Sequence, residues 1–296
     1  MAGKSNRAIL KIIGASSAGT MIEWYDFFIF GSLAPIISLK FFPQDNPTAA
    51  FLSTLATFAA GFVVRPFGAL FFGRLGDMVG RKYTFMMTLL LMGGATFLIG
   101  CVPGYESIGF LAPVLVLILR LLQGLALGGE YGGAATYVAE HAPPERRGFW
   151  TSWIQTTATL GLFTSLLVIM LTKSALGEKD FSDWGWRIPF LIGAALGGVL
   201  ALYYIFHVSE SEVWTQETRG GEIRQAPSSL FRGHAGRQLL QVLLMMTGFW
   251  TTQNIITIFL PSTLLPNMLH LSKVEISITL LITFSVLFFS YIGAGM

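Results

Sequence analysis

Five ionisable residues stand where such residues are rare. Glu23 and Asp26 interrupt one long apolar stretch, Arg65 a second, and Arg120 and Glu130 a third. A charge at the centre of a bilayer costs about 2.5–3.5 kcal/mol on insertion scales, so charges in such stretches face an interior cavity and one another. Glu23 and Asp26 are three apart and share a helical face. Arg120 and Glu130 are ten apart, roughly 15 Å along a helix axis. With two cations against three carboxyls, the acids are in excess by one. A carboxyl removed from water and counter-charge keeps a proton more readily than one in water. The chemistry that follows is reversible protonation beside a guanidinium able to attract an anion. Tyr25 and Gln123, with Gln155, Thr251, Gln253 and Asn254, add neutral groups that either meet a substrate or tie helices together. The competing reading of the charges is equally physical: each pair does no more than fasten neighbouring helices.

Covalent and metal chemistry find no support. Cys101 is a lone cysteine, and His141, His207, His234 and His270 are too scattered for a metal site, so no cofactor or metal is expected. Gly3-Lys4-Ser5 resembles the end of a phosphate-binding loop, but nothing before it forms the loop. Gly14-Ala15-Ser16-Ser17-Ala18-Gly19 has no strand leading into it and no histidine to serve a serine. An enzyme is therefore not expected.

The residues that hold these charges are overwhelmingly apolar. Of 296 residues, 53% are hydrophobic and 12% charged, about half the charged share of a soluble domain. Too few charges remain to cover a soluble surface, so lipid is the solvent. A membrane helix takes about 20 apolar residues. Eight stretches qualify: 14–39, 51–73, 83–102, 109–135, 149–172, 187–208, 238–260 and 276–296. Period-two alternation is absent, which sets aside a barrel. The expected fold class is an all-α polytopic membrane protein. The basic start, Lys4, Arg7 and Lys11, is not a cleaved signal, because Glu23 and Asp26 break the first apolar run and further spans follow.

Lysine and arginine in the short loops set the orientation. With the N-terminus inside, the cytoplasmic segments carry Lys4, Arg7, Lys11, Arg74, Arg81, Lys82, Arg146, Arg147, Arg219, Arg224, Arg232 and Arg237. The opposite loops carry only Lys40, Lys173, Lys179, Arg187 and Lys273. Twelve against five places the N-terminus in the cytoplasm. The longest polar interval, 209–236, acts as a cytoplasmic linker. It separates a six-helix bundle over 1–208 from two helices of a second bundle over 237–296, and the stop at Met296 reads as an interruption.

Between the second and third spans stands Gly73-Arg74-Leu75-Gly76-Asp77-Met78-Val79-Gly80-Arg81-Lys82. Its glycines predict a tight turn, with Asp77 capping the next helix and Arg81 bridging to it. The segment resembles the signature loop of the major facilitator superfamily, G-x-L-x-D-x-x-G-R-K. Arg120-Leu121-Leu122-Gln123-Gly124, Pro143-Pro144-Glu145-Arg146-Arg147-Gly148 and Trp186-Arg187-Ile188-Pro189-Phe190 resemble further motifs of that family, in the same order. Glu23-Trp24-Tyr25-Asp26-Phe27, Arg65-Pro66-Phe67-Gly68 and Gly128-Gly129-Glu130-Tyr131-Gly132-Gly133 are similar to its metabolite:proton symporter branch.

The resemblance implies twelve helices in two halves about a central cavity, working by alternating access. It implies proton-coupled import of a small organic acid (dicarboxylate, tricarboxylate or shikimate type) or a zwitterion (proline or betaine type). Asp26 and Arg120 are then a facing acid–base pair, with Glu23 and Glu130 as further proton sites. Arg65, Tyr25, Gln123, Gln155, Gln253 and Asn254 become candidate substrate contacts. Gly73, Asp77, Gly80 and Arg81 become a conformational latch. It further implies a monomer in the plasma membrane, with metabolite, protons and lipid as partners and no nucleic acid. A uniporter, in which the acids only organise the cavity, and a non-transporting scaffold are the alternatives. The glycines of the fourth span, Gly124, Gly128, Gly129, Gly132 and Gly133, read first as a close-packing face.

Overall fold

The computed structural model describes residues 6–143 and 146–207, with 237, 240 and 241. Among these every regular element is helical. The expected spans 238–260 and 276–296 and the linker 209–236, with Gln253 and Asn254, lie outside the described residues.

The helix α1 (Asn6–Ser32) is followed by α2 (Ala34–Phe41), bent 64° from it. Pro35 stands at the start of α2, where its missing N–H and its ring disrupt a continuous ladder. Asn46 caps α3 (Pro47–Val63) by accepting a bond from the Ala49 amide at 3.1 Å. A break at Val64, beside Pro66, leads into α4 (Arg65–Val79), and the two helices make one apolar span of 33 residues. Then come α5 (Arg81–Cys101), a single turn α6 (Tyr105–Ile108), α7 (Leu111–His141) and α8 (Arg147–Asp180). A π-helical turn, Phe181–Gly185, joins α8 to α9 (Arg187–His207). All nine belong to the first of two compact units, Met1–Gly221 and Glu222–Ala294.

Two expectations need correction. The second span does not end at residue 73, because α4 runs through Gly73 and Gly76 to Val79. Glycine inside a helix costs only about 1 kcal/mol against alanine, which packing overrides. The turn is made by Gly80 alone, at φ 119°, a conformation costly for any other residue. Nor is Asp77 the cap residue of α5: it occupies the last turn of α4, and Gly80 holds the cap position.

Packing sorts the helices into inner and outer. Half of the apolar windows of α5 and α7 is buried, against 22% for α3–α4 and 17% for α8. The outer helices expose Leu52, Phe67, Phe71, Leu167 and Met170, side chains that lipid would solvate. Within lipid there is little hydrophobic force between helices, so close packing and interhelical hydrogen bonds hold them together. A Cβ on Gly124 would fall on the Gly61 carbonyl, one on Gly128 on the Arg65 carbonyl, and one on Gly68 on the Leu125 carbonyl. Here α7 therefore meets α3 and α4 backbone to backbone.

At one end of the bundle, buried Trp186 packs edge-on against Phe41 at 5.5 Å and Phe190 at 6.1 Å. The next residue, Arg187, donates from Nη1 to the carbonyls of Gly100 at 2.6 Å and Val102 at 2.9 Å. It thereby satisfies the open C-terminal carbonyls of α5 with a cation, the sign that a helix C-terminus favours.

Candidate functional site

Glu23 and Asp26 lie on α1 with no exposed surface, and Arg120 on α7 is 2% exposed. The structure brings Asp26 and Arg120 into one buried polar chain. Asp26 Oδ2 accepts from Thr96 Oγ1 of α5 at 2.8 Å. Thr96 Oγ1 in turn accepts from Gln123 Nε2 of α7 at 2.7 Å. Gln123 Oε1 accepts from Arg120 Nη1 at 2.8 Å. Acid and base thus communicate through two neutral side chains and not through a direct ion pair. The three helices are α1, α5 and α7, the inner part of the bundle.

The guanidinium of Arg120 rests on aromatic faces. Its Cζ is 4.4 Å from the Phe30 ring centre, 5.0 Å from Phe58 and 5.5 Å from Phe27. Arg65 shares the cluster, 4.1 Å from Phe62 and 5.0 Å from Phe27. Each such contact is worth about 0.5–2 kcal/mol, more when desolvated. Through space Arg65 is attracted by Glu23 and Arg120 by Asp26, while the two cations repel each other. The two guanidiniums thus share the Phe27 ring, on the helix that carries Glu23 and Asp26.

Position 193 fixes how near α9 comes. A Cβ there would collide with Asp26 Oδ1 and the Tyr25 ring, so only glycine lets α9 pass. Tyr25 spends its hydroxyl on the Pro189 carbonyl at 3.0 Å, a bond from α1 to α9. Glu130 and Gln155 fall within α7 and α8, but their side chains are not among the described ones.

Away from this cluster, Arg81 Nη2 approaches Asp77 Oδ1 at 3.9 Å across Gly80, with the Asp77 side chain 60% exposed. Both charges oppose their helix dipoles, an acid in the last turn of α4 and a base opening α5. Helix stability therefore does not account for the choice of these residues. Gly73 has open space around its Cα, with nothing within 4 Å of a built Cβ. Among the described residues no group of His, Cys, Asp and Glu could hold a metal.

Thr96, Gly193 and the four phenylalanines were not singled out from sequence. Thr96 looks like any threonine bonding back along its own helix, as it does to the Met92 carbonyl at 2.9 Å. The spacing Phe58, Phe62, Arg65 (four and then three residues) was the available signal, placing two rings and a cation on one face.

The profile of the sugar (and other) transporter family matches residues 11–237. The chain belongs to this family of the major facilitator superfamily. Its relatives include the proline/betaine transporter of Escherichia coli K12, 37% identical over 272 residues, 89% of this chain and 54% of the relative. The alpha-ketoglutarate permease of the same organism is 38% identical, over 83% of this chain and 54% of its own length. The citrate-proton symporter of Klebsiella pneumoniae is 37% identical, over 98% of this chain and 64% of its own length. The chain thus spans a little over half the length of the first two of these family members. Among solved structures, a double Trp XylE mutant superimposes with TM-score 0.71 at 16% identity, covering 95% of this chain and 67% of that one. A D-xylose-proton symporter gives 0.60 at 20% identity, over 94% and 65%. These likenesses establish the major facilitator fold, in agreement with the fold class read from sequence.

Proposed function

We propose that the protein carrying this chain is a proton symporter for a small carboxylate-bearing metabolite, working by alternating access. The observation that carries the reading is the buried linkage of Asp26 to Arg120 in a largely apolar bundle. Charges at this depth need a use or a partner, and here the cation is held by ring faces and one amide. A substrate carboxylate offers charge-assisted bonds that exceed those contacts. The relatives named above agree in one respect: proline, betaine, alpha-ketoglutarate and citrate all carry a carboxylate.

In this reading Arg120, assisted by Arg65, receives the carboxylate while Asp26 takes the coupling proton. Glu23 and Glu130 are secondary proton sites. Gln123 orients Arg120, and Gln155, Gln253 and Asn254 are further substrate contacts. Tyr25 serves the scaffold through Pro189. Asp77 and Arg81, hinged at Gly80 with Gly73 nearby, form the latch. The domain plan follows the sequence: a bundle over 1–208, a linker over 209–236 and the start of a second bundle over 237–296. The protein sits as a monomer in the inner membrane with its N-terminus in the cytoplasm.

Vesicles containing Asp26→Asn should lose acid-driven accumulation of substrate while keeping counterflow exchange. Accumulation at the wild-type level would remove Asp26 from the coupling step.

A further inference from the structure

The Thr96 hydroxyl has one hydrogen and two acceptors within reach, Asp26 Oδ2 at 2.8 Å and the Met92 carbonyl at 2.9 Å. It also accepts from Gln123 Nε2 at 2.7 Å. A hydroxyl offers one donor and two acceptor lone pairs. We propose that Thr96 is a positioning residue that reports the protonation state of Asp26 to Arg120. The proposal rests on the symport reading above, and it names the residues that convert a proton on one helix into a free guanidinium on another.

Two complete bonding patterns are available. With Asp26 ionised, Thr96 donates to Oδ2 and accepts from Gln123. With Asp26 protonated at Oδ2, the carboxyl donates to Thr96, the Thr96 hydrogen turns to the Met92 carbonyl, and both lone pairs are filled. Asp26 Oδ1 and Arg120 Nε lack a hydrogen-bond partner in either pattern, but the exchange leaves Asp26 Oδ2, the Thr96 hydroxyl and the Gln123 amide each with one, so the proton adds no further unsatisfied buried group at about 1–3 kcal/mol. The two patterns differ in strength along the chain. A hydroxyl donating to an anion is a better acceptor, because linked hydrogen bonds polarise one another. Gln123 is then held firmly and fixes Arg120 through Oε1. Protonation removes that polarisation, Gln123 loosens, and Arg120 is released to a substrate carboxylate.

The groups the structure brings to Asp26 fit this role. Glu23 and Tyr25 share its helix, and Tyr25 is committed to Pro189. From α7 come Arg120 and Gln123, with Arg65 beyond them on the shared Phe27 ring. The α5 side offers Thr96, and α9 offers the bare backbone of Gly193. Arg120 has no other side-chain hydrogen bond among the described residues than that to Gln123.

Isotope-edited infrared difference spectra of the intact protein in lipid vesicles read both ends as the proton is added. The Asp26 carboxyl band is assigned by its loss in Asp26→Asn, and the guanidinium bands by their loss in Arg120→Lys. In the unmodified protein the guanidinium bands shift as the carboxyl band appears, and Thr96→Ser preserves both. Thr96→Val, close in shape but without the hydroxyl, loses the guanidinium shift. Gln123→Leu leaves the carboxyl band where it was, since Thr96 still faces Asp26, yet also loses the guanidinium shift. A guanidinium shift that persists in either variant overturns the relay and leaves symport standing. A protein that shows no Asp26 carboxyl band at all overturns the coupling role of Asp26, and the relay with it.

Discussion

Two couples of opposite charge lie in this bundle, and they are built in opposite ways. Asp77 and Arg81 approach each other directly, at 3.9 Å, the acid side chain 60% and the base 22% exposed. Asp26 and Arg120 are buried and meet only through Thr96 and Gln123. Direct contact in water is worth about 0.2–1 kcal/mol, since solvent screens it and ordering two side chains costs entropy. A couple in a dry interior interacts far more strongly even when neutral groups intervene. Proximity is thus a poor guide to consequence. A solvent-facing couple can open and close at little energetic penalty, as the proposed latch requires, whereas a buried one responds chiefly to a change of charge.

The contrast is sharpest at Arg120. Arg120→Ala leaves carboxyls facing an emptied pocket, and breaking a buried charge set of this kind costs about 3–5 kcal/mol. The variant should melt well below the unmodified protein in detergent and take up no substrate; an unchanged melting profile would mean the interior is wet and the couple screened. Gly193→Val should come next. Its Cβ strikes Asp26 Oδ1 and the Tyr25 ring, and overpacking of this kind costs about 1–3 kcal/mol. The same melt should show a smaller loss, and uptake should fall because α9 stands off from α1. Smallest in stability is Asp77→Asn, expected within about 0.5 kcal/mol as for other exposed positions. Its transport rate should nonetheless fall while the melt stays put. A loss of stability with normal transport would reverse the two roles.

What could be read from the residues, and what could not, follows the same physics. Charges in apolar runs are conspicuous because lipid makes them costly, so Asp26, Glu23, Arg65 and Arg120 stand out in the sequence itself. Among the described residues the spans were legible for the same reason: four are long and apolar enough to cross a membrane, or five when the bent α1–α2 pair is taken as one. Thr96 was not, since threonines inside membrane helices routinely bond to their own backbone and its cross-helix bond depends on a register that no local pattern encodes. The aromatic seat was hidden among 25 phenylalanines. The Gly73–Lys82 segment was recognisable as a motif yet misread as geometry. Glycines that look like breaks were carried inside α4, and only Gly80, with its positive φ, ended a helix. The bend at Pro35 lies inside the apolar run 14–39, which reads as one span.

The bonds that tie α9 into the bundle also set an order of events during synthesis. Arg187 reaches back 87 residues to the Gly100 carbonyl, and the Pro189 carbonyl receives a bond from Tyr25, 164 residues earlier. At about 5–20 residues per second, the end of α5 must wait roughly 4–17 s after it is made before its cap exists. Until then α1 and α5 lack their bonds to α9, although Asp26 on α1 and Arg120 on α7 have already been made. The last helix described is the clasp, and the nascent bundle is most exposed to quality control in the interval before it closes.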